Sequence, residues 1–468
     1  MSTTSQSSAP ADLPGDVPGQ SQRDRRRTII AASAGNFAEW YDWGVYGVVA
    51  TLLADQFFPE GEGALALVSV YAVFAISYLT RPLGTIVFGH IADTVGRKKA
   101  LSMTIVITCT ATALIGLIPT YATIGYAAPL LLLALRLIQS LGTGGEYSTA
   151  ISFVYEHGPR GGKARAVGVL TAMTFVGFLV GSVLATGLSA ALPEGVWESW
   201  GWRLLFWLAL PMGGIGLYLR RRTEEGAEFQ HLQELQERKS ARRRSPVHEA
   251  LRTSWRKILL FFAFLGTWAI ISATLTSYLA TFLKQNESIT TTQAYGANTL
   301  ASAMVVVFVL LFSPFADRLG LRRATIVGSL LVAVAVVPGF ILAGSGLVGA
   351  YAGAALLGAT KGVMAVPSLL AVSQIFPAGI RVTAGGLSYN LAQSVLGGTA
   401  PLVAVTLNQA FGSSLVFSSY LVFASLVTLV IMLVFGRTWI QDSESHSGDV
   451  GGAPSRPGAT AGTGAVSA

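Results

Sequence analysis

The sequence predicts an all-α membrane protein of twelve transmembrane helices in two pseudo-symmetric six-helix bundles, with both termini cytoplasmic. Three observations predict it. Of the 468 residues, 52% are hydrophobic and only 12% are charged, whereas a soluble domain carries about 25% charge. The apolar residues gather into runs near 29–54, 66–91, 100–118, 128–153, 165–191 and 203–219, then 257–283, 293–315, 324–343, 348–373, 384–408 and 414–435. Such runs approach the roughly 20 residues that cross a hydrocarbon core as helix. Lys and Arg fall in alternate connections: Arg97, Lys98 and Lys99; Arg160, Lys163 and Arg165; residues 220–256; Arg318, Arg322 and Arg323; and Arg381. The positive-inside rule puts those connections and both termini in the cytoplasm.

Taken in order, residues 1–27 are rich in Ser, Pro and Gly, end in Arg23 and Arg25–Arg27, and are expected to be a disordered N-tail. They hold no apolar core followed by a cleavage site, so no secretory signal peptide is expected. The first bundle spans 28–219. A cytoplasmic linker follows at 220–256, carrying Arg220–Arg222 and Arg242–Arg244 around a polar helix candidate, Glu224 to Lys239. The second bundle spans 257–437, and the Gly, Ser and Ala of 438–468 predict a disordered C-tail. The net charge of +8 is thus topological, and nucleic acid is not an expected partner. One cysteine, Cys109, excludes an intramolecular disulfide and a cysteine metal cluster. The histidines show no metal-ligand spacing.

Ionisable residues inside the apolar runs are the candidate site, because each costs roughly 2.5–3.5 kcal/mol at mid-bilayer unless it meets a partner or water. Glu39 and Asp42, an i, i+3 pair on one helix face, lie within Gly35–Gly47 among Trp40, Tyr41, Trp43 and Tyr46. They are the candidate proton carriers, the alternative being a charge pair that fixes helix packing. Glu146 is a further proton candidate or a partner for a loop cation. Arg136, inside Leu130–Leu141, is suited either to pair with those acids or to grip a substrate carboxylate. Lys361, mid-run, cannot reach an interface easily and is a second anion-binding candidate. Tyr41, Gln139 and Asn390 complete the candidate substrate contacts, although packing roles suit them equally.

The halves repeat in register. Asp93-Thr-Val-Gly96 and Asp317-Arg-Leu-Gly320 lie 224 positions apart, and Arg136 shifted by 225 lands on Lys361. Two repeated halves with sites between them form a transporter pattern. Gly89 and Asp93 stand one helical turn apart. With Gly96, Arg97 and the second-half Asp317, they make a candidate cytoplasmic gate in which close helix approach and a breakable ion pair favour one conformation.

Residues 81–99, Arg-Pro-Leu-Gly-Thr-Ile-Val-Phe-Gly-His-Ile-Ala-Asp-Thr-Val-Gly-Arg-Lys-Lys, closely resemble the loop 2–3 signature of the major facilitator superfamily. Gly35-Asn36 with Glu39-Trp40 and Asp42, Arg136-x-x-Gln139, Gly144-Gly145-Glu146-Tyr147, Trp200-Gly201-Trp202-Arg203 and Gly397-Gly398-Thr399-Ala400-Pro401 resemble its metabolite:proton symporter family. That family includes proline/betaine and α-ketoglutarate permeases. The resemblance spans about 28–437 and implies alternating access with proton-driven uptake. Departures are Ser140 where the family has glycine, Ser313 at the place of Gly89, and Leu321 at the place of Arg97. The tail lacks the long heptad helix of the osmosensing type, so osmotic regulation by that device is not expected.

The expectation is a proton-coupled symporter of the inner membrane, acting as a monomer among lipid, with the proton as coupling ion and no other cofactor. Its substrate would be a small organic acid or zwitterion, and cations in both halves tilt the balance toward an acid. An efflux antiporter on the same scaffold, or a membrane sensor, is the alternative. No clustered nucleophile and base points to an enzyme, and no Walker-type loop points to ATP.

Overall fold

The computed structural model describes residues 36–59, 63–84, 87–88, 91, 97–142, 146–159, 161–224, 246–285, 288–376 and 381–448. Among them there is helix and no strand. Helix covers each expected apolar run in whole or part. Seven helical segments are long and apolar enough to cross a membrane, and 102–115, 127–142 and 203–215 are shorter apolar helices.

Besides short helical turns at Tyr121–Ile124, Glu194–Val196 and Trp197–Gly201, the first half has α1 (Asn36–Val48), α2 (Ala50–Phe57), α3 (Gly63–Leu79), α4 (Arg97–Ile115), α5 (Ala127–Gly142), α6 (Glu146–His157), α7 (Lys163–Ala191), α8 (Arg203–Trp207) and α9 (Ala209–Glu224). The second comprises α10 (Pro246–Phe264), α11 (Gly266–Ala273), α12 (Leu279–Lys284), α13 (Thr291–Ala343), α14 (Leu347–Gln374), α15 (Gly386–Ala392), α16 (Gly398–Phe411) and α17 (Ser414–Gly448). π-Helical turns at Thr274–Tyr278 and Gln393–Gly397 carry α11 into α12 and α15 into α16.

Local chemistry explains the ends. Thr290 and Gln293 form a reciprocal capping box that starts α13, with bonds of 3.2 and 2.8 Å. Gly320, at φ 73°, breaks that long segment at the second copy of the Asp-x-x-Gly motif. The left-handed conformation suits glycine, so two helices meet there. α17 runs to Gly448, into the tail expected to lack fixed structure. Buried Trp439 packs on Phe261 and Phe264 and stacks on Phe435, which holds α17 against α10.

Large apolar side chains such as Leu311, Phe315, Val334, Phe423 and Val430 face outward, as lipid contact requires. Hydroxyls and amides join the halves inside, where a polar group without a partner would be costly. Along α7 and α13, Ser182 meets Thr299 at 2.9 Å and accepts from Asn298 Nδ2 at 3.1 Å, while Thr292 donates to Ser189 at 3.1 Å. Tyr71 of α3 donates to the Ser277 carbonyl at 2.6 Å and lies 2.7 Å from the Thr281 hydroxyl. At Gly47 of α1 a Cβ would stand 2.6 Å from the Thr276 carbonyl oxygen. Only glycine lets α1 approach the π turn so closely.

Candidate functional site

The site begins with Asp42, which α1 carries into the interior at 1% exposure. Arg136 of α5, wholly buried, places Nη1 at 3.7 Å from Asp42 Oδ2. The same nitrogen donates to Gln139 Oε1, one turn along α5. Gln139 Nε2 donates to Thr112 Oγ1 at 2.7 Å, and Thr112 donates to the Thr108 carbonyl at 2.7 Å on α4. The Thr112 hydroxyl and the Gln139 amide border the Asp42 carboxylate and are the polar side chains that stabilise its ionised form.

Rings close around the guanidinium. Arg136 Cζ lies 4.4 Å from the centroid of Trp43, 4.0 Å from Tyr46 and 5.7 Å from Phe74. Aromatic faces offset part of the lost hydration of such a cation. Arg81, just beyond α3, stacks in the same way at 4.2 Å from Trp43, 4.0 Å from Tyr78 and 5.8 Å from Trp40.

Lys361 reaches this region from the opposite half. It is 1% exposed on α14 and donates to the Ser272 carbonyl of α11 at 3.3 Å. Its ammonium lies 4.3 Å from the Phe175 ring and 5.9 Å from Phe178, both on α7 of the first half. Among the described residues no carboxylate pairs with it. Trp40 packs on Phe178 at 5.6 Å, so a continuous run connects Arg136, Trp43, Arg81, Trp40, Phe178 and Lys361. Trp40 also meets Tyr147 at 5.2 Å, and Tyr147 meets Tyr389 of the second half at 5.7 Å.

The structure therefore brings Asp42, Arg136 and Gln139 into one cluster and joins Lys361 to it through rings. Tyr41 is occupied elsewhere, its hydroxyl donating to the Leu205 carbonyl at 2.8 Å. Asn390 is half-buried on α15, near Gln393, which donates to the Tyr389 hydroxyl at 3.2 Å. The side chains of Glu39, Glu146 and Arg97, and residues Gly89, Asp93 and Gly96, lie outside the described residues. Asp317 is described: it accepts from Ala164 N at 2.7 Å and Arg165 N at 3.3 Å, and pairs with Arg165 Nε at 2.9 Å. The acid thus sits on the N-terminus of α7, where the helix dipole favours negative charge, and ties the halves together. Ser313, one turn earlier on α13, packs against Gly168.

Sequence reasoning gave no site role to Arg81, Thr112, Phe175 or Phe178. Arg81 carried a signal, being a cation within the apolar run 66–91. The others carried none, since a threonine or phenylalanine in an apolar helix is unremarked by any pattern. Chemically, the cluster holds a buried acid beside a cation and two neutral hydrogen-bonding side chains, which suits proton uptake. Lys361, with three donors and one carbonyl partner, has capacity for an anionic oxygen.

The sequence model of the Major Facilitator Superfamily matches residues 32–401. The proline/betaine transporter of Escherichia coli (strain K12) is 34% identical over 425 residues, covering 88% of this chain and 84% of the relative. The ectoine/proline transporter ProP of Corynebacterium glutamicum is 33% identical over 425 residues, covering 87% and 83%. Among solved structures, the xylose transporter XylE from E. coli, in a partially occluded inward-open conformation, superposes with a TM-score of 0.65 at 16% identity, covering 88% of this chain and 97% of that one. The human organic anion transporter MFSD10 gives 0.61 at 17% identity, with 88% and 100% coverage. Motifs, helical architecture and relatives agree over most of the length, and the chain belongs to the Major Facilitator Superfamily of membrane transporters.

Proposed function

We propose that this transporter is a proton-coupled symporter that takes up a small carboxylate-bearing metabolite by alternating access. Twelve helices, in bundles 28–219 and 257–437, would cross the inner membrane with both termini cytoplasmic. Asp42 is the proton carrier and Arg136 its partner. Lys361 receives the substrate carboxylate, and Asp317 with Arg165 belongs to the cytoplasmic gate.

One observation carries this reading: an acid–guanidinium pair and a lysine, both sealed from solvent, stand in opposite halves against one aromatic wall. A buried lysine is costly, and a carboxylate arriving with the substrate would neutralise it. The names of the relatives, proline/betaine and ectoine/proline transporters, move the preference from an organic diacid toward a monocarboxylate or zwitterion.

The test is uptake into proteoliposomes with an imposed inward proton gradient, using labelled proline, glycine betaine and α-ketoglutarate in parallel. Accumulation of proline or betaine that a protonophore abolishes is expected. Accumulation of α-ketoglutarate alone would restore the acid reading, and expulsion of preloaded substrate would establish antiport.

A further inference from the structure

After its break at Gly320, α13 packs along α17 with the chain direction reversed. Ser425 Oγ donates to the Ser329 carbonyl at 2.6 Å, and Arg322 Nη2 reaches the Leu433 carbonyl at 3.5 Å. Moving forward along one helix therefore moves backward along the other. Exposed side chains trace a row on each. On α13 the row is Arg323, Val327, Leu330 and Val334; on α17 it is Phe423, Val430, Val434 and Arg437. Steps of three, four and seven residues keep each row on one side of its helix. Because the helices run oppositely, the arginines of the two rows stand at the same end, and the apolar members lead away from it.

Arg322 joins them at that end. Its stem crosses α17 at Gly436, where a Cβ would stand 3.4 Å from Arg322 Cγ. A guanidinium has five N–H donors. Arg322 spends one on the Leu433 carbonyl, and its Nε has no hydrogen-bond partner. Among the described residues no carboxylate pairs with Arg322, Arg323 or Arg437; Asp317, the acid of this connection, is held by Arg165 and the start of α7. Three cations thus gather where an apolar, outward-facing surface begins. A free phosphate would satisfy the cations and leave the rows unused, and an uncharged lipid would do the reverse. We propose that the α13–α17 seam binds one anionic phospholipid. Its phosphate lies against Arg322, Arg323 and Arg437, where guanidinium and phosphate geometries match, and its acyl chains follow the two rows.

The site does not depend on which substrate is carried, so the test reads bound lipid rather than uptake. The full-length protein, stripped of lipid in detergent, is offered equal amounts of phosphatidylglycerol and phosphatidylcholine with matched acyl chains. Native mass spectrometry then counts what is retained. Wild-type protein is expected to keep phosphatidylglycerol in preference to phosphatidylcholine. Arg322→Gln/Arg437→Gln should lower phosphatidylglycerol retention about tenfold, each surface arginine contributing roughly a few-fold to anionic-lipid attraction, and should leave phosphatidylcholine unchanged. Arg252→Gln/Arg256→Gln removes two exposed arginines from α10 and should retain phosphatidylglycerol as wild type does. Should the first pair not elute as folded protein, Arg323→Gln/Arg437→Gln spares the Arg322 stem at Gly436 and predicts the same loss. Equal retention of the two lipids by wild type, undiminished retention in the folded α13–α17 variant, or an equal loss in the α10 variant overturns the site. Release of phosphatidylglycerol by millimolar inorganic phosphate overturns lipid as the occupant, because the arginines would then hold phosphate without the rows.

Discussion

A lysine buried against two phenylalanine rings and one carbonyl oxygen is a poor choice for stability. Methionine would keep most of the aliphatic stem, remove the desolvated charge and place sulfur near the same rings. Lys361→Met should therefore leave stability unchanged or raise it by about 1–4 kcal/mol, as replacement of buried ionic groups often does. The same change should lower uptake by tenfold or more, since a single charge-assisted contact contributes about 1.5–3 kcal/mol. A thermal-shift scan and an uptake assay on the same preparation check both halves, and a lower melting point with unchanged uptake would identify Lys361 as structural. Asp42→Asn separates coupling from binding in another way. The amide cannot cycle a proton at physiological pH, so gradient-driven accumulation should disappear while substrate exchange across the membrane persists. The sequence exposed Asp42, Arg136 and Lys361 because an ionisable group in hydrocarbon has no indifferent placement. It hid Thr112, Phe175 and Phe178 because a neutral side chain in a buried helix is compatible with packing alone, and only coordinates distinguish a bonded threonine from its neighbours.

Helices show the same division between what a linear pattern reveals and what packing decides. The apolar runs located α7 and α14 well, whereas α13 joins the runs 293–315 and 324–343 into one segment and α17 continues past 435. They said nothing of the π turns at Thr274–Tyr278 and Gln393–Gly397, because an inserted residue leaves hydropathy unchanged. Such turns often mark functional positions. The first lies where α1 touches the second half, and its fit depends on Gly47. Even a methyl group there would meet the Thr276 carbonyl oxygen at 2.6 Å, well inside van der Waals contact. Gly47→Ala should therefore hold α1 away from this turn, reducing uptake by tenfold or more without reducing the amount of protein in the membrane. Because backbone rather than a flexible side chain blocks the way, no rotamer change relieves the collision. Wild-type uptake in Gly47→Ala would show that the close approach is dispensable.

At the level of the whole molecule, contacts between the halves occur at both ends. Asp317 joins α7 at one, and the Tyr71 hydroxyl joins Ser277 and Thr281 toward the other. Asp42, Arg136 and Lys361 between them are at most 1% exposed, so this arrangement is closed around its centre. A transporter that alternates must break each set of contacts in turn, and polar bonds exchangeable with water suit that cycle better than interlocked apolar surface. The α7–α13 seam is the place to test it. Ser182 and Thr299 hydroxyls meet at 2.9 Å across the halves, and the lone native cysteine, Cys109, is buried, so background cross-linking is low. A Ser182→Cys/Thr299→Cys pair should be joined by mild oxidant or a short bis-maleimide. Joining should stop uptake, reductant should restore it for the disulfide, and each single variant should be insensitive to the oxidant. If the seam opens during transport, it is open in only part of the cycle. Substrate supplied on one side should then change the cross-linking rate, whereas a rigid seam would cross-link at one rate whatever was added. Continued uptake through a fully cross-linked pair would mean that the halves do not separate here, and the rocking movement would have to be sought around the π turns at Thr274–Tyr278 and Gln393–Gly397 instead.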